Sequence, residues 1–316
     1  MTFDELAAFV EIANGGGFTQ ASRKLHRSQP AISRRIAELQ RRLGAVLFEK
    51  VGRTVRLTDA GRALLPHAEA AIAALRDGER AVRDAADPAS RSAAVTLRIA
   101  IVGTLADSQV VDALRAFRKR FGDASLELRT ATSREVSALV RRGDADLGLR
   151  YFADPDRKLE SIALGGERMC VVVPKTHRVR ARRVASLRAL GEDTWLAFPP
   201  DRRHPESSGQ QVENLLLAAG VTHPKLTPID SLTAQKRLVE AGLGVALLPA
   251  SSVRDELRRG TLRTIEVANL GAEQPVVAVR RRTGRHSTAA LEFLALLQHH
   301  TPNLVRASRL TRAKVR

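Results

Sequence analysis

The segment HRSQPAISRRIAELQRRLG, residues 26–44, constrains the fold of this chain more than any other. Its apolar residues Ile32, Ile36, Leu39 and Leu43 recur at spacings of four, three and four. At 3.6 residues per turn they form one stripe that must pack against something. The opposite face is then set by geometry: it presents Arg34 and Arg41 with Pro30 and Ala37 between them, and Gln29 and Ser33 on the shoulder of the first turn. Ser28 is a natural N-cap, and Pro30 is tolerated in the first turn because its missing N–H has no intrahelical partner there. The helix therefore starts near Gln29. Glutamine and arginine at a helix start can read base edges in a DNA major groove while further arginines hold phosphates. The alternative is an ordinary solvated helix face.

The flanking segments bear on that choice. TFDELAAFVEIA, residues 2–13, opens with a capping box of Thr2 and Glu5 and buries Leu6, Phe9, Val10 and Ala13. After Gly15, Gly16 and Gly17, FTQASRKL reads as a short second helix with Phe18, Ala21 and Leu25 inward. A three-residue turn at 26–28 follows. This is helix-turn-helix spacing with the basic helix in the recognition position. Downstream, VLFEK and VRLT flank a turn at 51–54, which predicts a β-hairpin wing around Gly52. Arg53 at its tip can reach a minor groove, where negative potential attracts arginine, or remain a surface cation with no partner.

These residues resemble the LysR-type transcriptional regulators. The likeness runs through FTQASRKLHRSQPAISRRIAELQRRLGAVLFEKVGRTVRLTDAG, residues 18–61, and is similar to that family's winged helix-turn-helix almost residue for residue. It implies that Gln29, Pro30, Ser33 and Arg34 lie against bases and backbone in the major groove and Arg53 in the minor groove. Two positions depart from the family pattern: Arg27 replaces an apolar residue in the turn, and Ser22 replaces a second alanine. They bear on local packing or an added phosphate contact, not on the docking mode.

The remaining length and charge are consistent with this reading. A chain of 316 residues is long for one core and divides more naturally into two or more domains. The net charge of +18 favours polyanionic partners. Residues 1–62 hold 11 basic against 6 acidic residues, so most of the surplus lies outside the expected DNA-binding head. Arginine outnumbers lysine 44 to 8, so that surplus reflects either composition or non-specific DNA binding. Cys170, the one cysteine, sits in the apolar run CVVV and reads as a buried thiol rather than a redox sensor. No leader-like segment precedes the first helix and no apolar run approaches transmembrane length, so a cytoplasmic protein with no membrane partner is expected.

After a winged head at 1–58, the stretch LTDAGRALLPHAEAAIAALRDGERAVRDAADP opens at the N-cap Thr58 and stops at the Asp87-Pro88 pair. Leu65, Ala68, Ile72, Leu75, Glu79 and Val82 fall at alternating three and four spacing, an a/d seam for a linker helix at 59–88. The seam suits pairing with a second copy or packing against its own domain. From residue 95, strands alternate with helical patterns, which argues for parallel α/β sheets. This region resembles the family's effector domain, two lobes similar to a periplasmic solute-binding protein. The landmarks are IVGT at 101–104, ADLGLRY at 145–151 and LVEAGLGVALLP at 238–249. The expected division is an α/β effector domain at 92–300, with lobe I at about 92–163 and 266–300 and lobe II at about 164–265. A basic tail at 301–316 is left over.

In such a fold a ligand sits between lobes, and helix N-termini offer N–H groups to an anion. Thr104 and Ser133 each follow a strand and open a helix, so each is either a carboxylate holder or a plain N-cap. The resemblance places both at effector-contact positions, with Tyr151, Phe198, Arg202, Ser231 and Thr233. Arg150 and Arg202 can each pair with an acidic effector or stand as surface cations. Gly242 and Gly244 do not form a dinucleotide fingerprint and fit a tight helix-to-strand turn. His177, His204, Ser207 and Ser208 are scattered, and no G-x-S-x-G, H-E-x-x-H or Walker pattern is present, so no catalytic, metal or cofactor site is expected. A solute-binding transport component is opposed by the DNA-binding head. The resemblance implies a homodimer or homotetramer on a promoter inverted repeat in double-stranded DNA, switched by a small-molecule effector and acting through RNA polymerase.

Overall fold

The computed structural model describes residues 1–52, 54–86, 96–106, 108–122, 124–200, 208–268, 270, 273–284 and 286–300. Arg53, Arg202, His204, Ser207, the Asp87-Pro88 stop and the basic tail lie outside the described residues. The head begins with α1, Phe3–Glu11. The Thr2 hydroxyl accepts from the Glu5 N–H at 3.3 Å, and the Glu5 carboxylate accepts from the Thr2 N–H at 2.7 Å. A π-helical turn over Ile12–Gly16 carries the chain into α2, Gly17–Lys24. Helix α3 spans Gln29–Leu43; the Ser28 hydroxyl accepts from the Ala31 N–H at 3.4 Å, and Gly44 closes the helix at φ 63°. The wing pairs β1, Phe48–Val51, with β2, Thr54–Leu57, antiparallel.

Helix periodicity translates directly into the head core. Phe9, Ala21, Ile32, Ile36 and Leu39 are buried together with Leu47. Leu43, the last member of the expected stripe, is exposed instead. It is the final residue of α3, beside the Gly44 cap where the chain turns toward the wing.

Helix α4, Asp59–Ala86, starts on the Thr58 hydroxyl, which accepts from the Gly61 N–H at 3.1 Å. A Cβ on Gly61 would run into the Leu47 carbonyl, so glycine lets α4 leave the head at this close approach. The expected seam on α4 is divided. Ala68 and Ile72 are buried in the core of their own head, with Leu65 packed beside them, whereas Leu75, Glu79 and Val82 are exposed.

Lobe I opens with β3, Thr96–Val102, followed by α5, Ser108–Arg120, β4, Ser125–Ala131, α6, Ser133–Arg141, β5, Leu147–Tyr151, and β6, Leu159–Glu167. Lobe II contains β7, Met169–Pro174, β8, Arg183–Val184, β9, Thr194–Ala197, and α7, Ser208–Ala218. It continues through β10, Lys225–Pro228, α8, Leu232–Glu240, β11, Ala246–Pro249, α9, Arg254–Arg259, and β12, Leu262–Val267. The chain then returns to lobe I as β13, Gln274–Arg281, and α10, Thr288–His300.

The lobe I sheet has the order β4-β3-β5-β13-β6. One face packs α5 and α10 through Phe117 and Phe293, and the other packs α6 through Val136 and Val140. Lobe II has the order β11-β7-β12-β8 beside the pair β9-β10. The sheets are mixed rather than purely parallel. Strands β3, β4 and β5 run parallel, as do β9 with β10, whereas β13 runs antiparallel to β5 and β6 and β7 antiparallel to β11 and β12. Parallel neighbours need a crossover, which α5 and α6 supply for β3, β4 and β5, whereas β13 enters this sheet from lobe II and runs antiparallel to β5 and β6. The passages between lobes fall at Arg168 and between Val267 and Gln274, because β6 keeps pairing with β13 through Glu167.

Candidate functional site

The exposed face of α3 carries Gln29, Pro30, Ser33, Arg34, Ala37 and Arg41. Thr19 on α2 donates from its hydroxyl to the Gln29 side-chain oxygen at 3.4 Å, which holds the glutamine at the helix start. The arginines of the segment divide by partner. Arg35 pairs with Asp4 at 2.8 Å, Arg42 pairs with Glu5 at 3.4 Å, and Arg41 pairs with Glu38 on its own helix. Arg34 makes no ion pair among the described residues, so its charge is presented outward with Ser33 and Gln29. Helical spacing already sets Arg34 and Arg41 apart from Arg35 and Arg42, but it does not show that Arg35 and Arg42 are held by acids, because Asp4 and Glu5 sit on α1, some thirty residues away.

The second cluster lies at the carboxyl ends of parallel strands. Thr104 follows β3, Ser133 follows β4 and Tyr151 ends β5, three neighbouring strands of one sheet. Phe198 follows β9 and Ser231 follows β10, the parallel pair of lobe II. Ligands of open α/β sheets settle outside this edge because loops and helix N-termini converge there. Thr104 sits in a short 3-10 turn, Gly103–Leu105, rather than opening a helix, and its buried hydroxyl lies 3.0 Å from the Tyr151 hydroxyl. The cap of α6 is Thr132, not Ser133: the Thr132 hydroxyl accepts from the Glu135 N–H at 3.4 Å, which leaves the half-buried Ser133 hydroxyl outside the capping box. Ser231 caps α8 by accepting from the Ala234 N–H at 3.3 Å, and Thr233 is exposed in the first turn.

Arg150 is neither a surface cation nor aimed at solvent. It is buried, paired with Asp154, and donates to the Ser137 hydroxyl at 2.7 Å and the Tyr151 carbonyl at 3.1 Å. Asp154 lies in the loop after β5, so its role had no periodic signal. The lobes are also stitched directly: the Gln274 side-chain amide donates to Gln211 at 2.6 Å, and the Ser251 N–H donates to Glu167 at 3.2 Å. His177 serves structure, its Nδ1 accepting from the Val179 N–H at 3.3 Å and its Nε2 lying 3.2 Å from Asp193.

A family described as bacterial regulatory helix-turn-helix proteins of the lysR family matches residues 3–62, and the LysR substrate binding domain matches residues 90–302. The chain belongs to the LysR family of transcriptional regulators. It is a DNA-binding regulator with a small-molecule effector domain, and its relatives are regulators rather than enzymes. It is similar to the HTH-type transcriptional regulator TfdS of Cupriavidus pinatubonensis, 34% identical over 278 residues, covering 87% of this chain and 91% of that one. It is 28% identical over 290 residues to a RuBisCO operon transcriptional regulator of Allochromatium vinosum, covering 92% and 93%. Among solved structures, CbnR, a LysR family transcriptional regulator, is 25% identical with a TM-score of 0.54, covering 94% of this chain and all of that one. A C206 mutant of OxyR from Corynebacterium glutamicum is 25% identical with a TM-score of 0.56, covering 98% and 96%.

Within this LysR-family chain, Cys170 on β7 is half-buried, its Sγ 3.5 Å from the Leu248 carbonyl. Burial pushes its thiol up to about 12, so almost no thiolate forms at neutral pH. A disulfide-exchange reagent is expected to label it slowly in the native chain and rapidly in denaturant. Stoichiometric labelling of native protein at the rate of a free thiol would contradict the burial. Among the described residues no helix is long and apolar enough to cross a membrane.

Proposed function

We propose that α3 docks in the major groove of a promoter inverted repeat, with Gln29, Pro30, Ser33 and Arg34 against base edges and phosphates. Arg53, carried over from the family resemblance, reaches the adjacent minor groove. The observation that carries this reading is the division of arginines on α3, which leaves Arg34 beside Gln29 and Ser33 on an exposed face while Arg35 and Arg42 are held by α1. An arginine already neutralised by a carboxylate has little charge to offer a phosphate, whereas an unpaired one releases counterions on binding.

The effector is a small anion lying between the carboxyl edges of the two sheets. Thr104, Ser133 and Tyr151 face it from lobe I, and Phe198, Ser231 and Thr233 from lobe II, with Arg202 carried over from the family resemblance. The N-termini of α6 and α8 favour a carboxylate, since free N–H groups and the helix dipole both attract negative charge. Arg150, neutralised by Asp154, braces α6 rather than meeting the ligand. The chain acts in the cytoplasm as a homodimer or homotetramer, with Leu75 and Val82 of α4 available to a second copy, and signals through RNA polymerase.

The test is selection of genomic fragments by the full chain in rising salt. A recurring inverted repeat retained at high salt is the expected result, and uniform loss of all fragments would refute specific regulation. A panel of small carboxylates, read by thermal shift, then follows; no shift with any member would remove the anionic assignment.

A further inference from the structure

Where lobe I meets the head and α4, one face of α4 presents Glu69, Ala73, Arg76, Asp77 and Arg80, and each meets the end of α6 or a strand beside it. Arg141 on α6 donates to Glu69 at 2.9 Å. The next residue, Arg142, pairs with Glu11 of α1 at 2.9 Å and with Asp144 at 3.0 Å. Two arginines of α4 then cap the carboxyl end of α6: Arg76 donates to the Arg142 carbonyl at 2.9 Å and Arg80 to the Gly143 carbonyl at 3.0 Å. Asp77 accepts from Arg281 of β13 at 2.8 Å.

Glu69 and Arg142 at the centre of this set are well removed from water, 3% and 7% exposed, and the charges around them are half-buried. Buried charges persist only when paired, so these residues hold one another in place. Burial pushes the Asp77 carboxyl up, but Arg281 and Arg80 together bring it below the usual carboxylate range and keep it ionised. Gly143 makes the close approach possible: it sits at φ 72°, and a Cβ there would meet Arg281 at 2.7 Å and Ala73 at 3.6 Å. Pairing of α4 with a second copy does not compete with these contacts. Leu75 and Val82 are exposed and offset by a residue or two from the charged set, and each residue along a helix turns by about 100°.

We infer that this cluster is an ionic clasp by which lobe I grips its own head, and that α6 is the strut that carries the state of the effector site to it. This rests on the proposed effector site, because Ser133 at the first turn of α6 belongs to that site. The nine-residue α6 spans about 14 Å from that edge to the clasp. Its middle is braced by the Arg150 bond to Ser137. A short, braced helix moves as one body, so a ligand that shifts its first turn displaces Arg141, Arg142 and the Gly143 carbonyl together, and with them Glu11 and α4.

Hydrogen–deuterium exchange on the full chain, without DNA or added ligand, tests the clasp. In Arg142→Gln and Arg141→Gln, amides over 69–82 and 139–145 are expected to exchange about tenfold faster or more, since Arg141→Gln leaves the buried Glu69 without its ion-pair partner and Arg142→Gln removes the buried charge that links Glu11 to Asp144. Amides of β3 and α5 are expected to keep their wild-type rates. Arg76→Gln, at the more accessible rim, is the milder variant that keeps lobe I folded, and it is expected to move the same amides by less. Wild-type exchange over both segments in all three variants overturns the clasp.

Ser133→Trp, which fills the far end of α6, tests the strut: faster or slower exchange over 139–145 supports it, and an unchanged rate there overturns it. Failure of the underlying functional reading looks different. No small carboxylate of the panel would then shift the thermal transition of the wild-type chain, although the exchange signature of the clasp remained.

Discussion

Arg34→Ala is expected to weaken binding to the selected DNA site by about 1 to 3 kcal/mol, the worth of a good bidentate arginine contact, or roughly five- to 150-fold in affinity. The physical basis is the arrangement on α3, where Arg34 has no ion pair among the described residues and lies on the exposed face with Gln29 and Ser33. Arg35→Ala is the matched control. One residue away, its guanidinium is held by Asp4 at 2.8 Å, so its loss is expected to cost little DNA affinity. Gln29→Ala is expected to relax base preference at one position of each half-site while retaining affinity for mismatched duplexes. If Arg34 serves a phosphate rather than a base, its variant lowers affinity for all sequences alike and reduces the salt slope by about 0.9. Titrations of cognate and scrambled duplexes at several salt concentrations read all of these. Equal affinity of Arg34→Ala and wild type for every duplex would refute the assignment of this face to DNA.

Phe9→Ala is expected to destabilise the head by about 3 to 5 kcal/mol, the cost of deleting a fully buried aromatic side chain. Phe9 is completely buried, and its ring stands 5.4 Å from that of Phe48 in the wing, so one side chain ties α1 to β1. A cavity there loosens both the floor of α3 and the root of the hairpin. The single tryptophan makes the effect easy to localise. Trp195 is buried in lobe II, donating from its indole N–H to the Leu190 carbonyl at 3.2 Å. Helical circular dichroism should therefore show an early transition in the variant while tryptophan fluorescence keeps the wild-type midpoint. A common shift in both signals would mean that head and lobe II unfold as one unit. No shift in either would contradict the packing role of Phe9.

The head was legible in the sequence because its signals are local. A capping box needs residues three apart, a stripe needs spacings of three and four, and a hairpin needs a turn between two short alternating runs. Thr2 with Glu5, Ser28 with Pro30, and Gly52 supplied these. The same is true of the edge that carries Thr104, Ser133 and Tyr151, since a residue just after a parallel strand is placed by that strand.

What the sequence by itself determined, then, was the set of elements and the residues offered at their ends. Which charges remain available was decided only by tertiary structure. Helical spacing puts Arg34 on the outward face and Arg35 off it, but that Asp4 holds Arg35 follows only from the packing of α1 on α3. Arg150 was a candidate for an acidic ligand until Asp154 and Ser137 were seen to hold it. The α4 seam reads as one continuous stripe, but its first half is buried in its own head while Leu75 and Val82 are left exposed. The contacts of Glu11 and Glu69 with Arg142 and Arg141 join residues more than seventy positions apart. Electrostatic pairing acts over a few ångströms whatever the separation along the chain. No periodicity or composition encodes it, and only the folded arrangement brings the partners together.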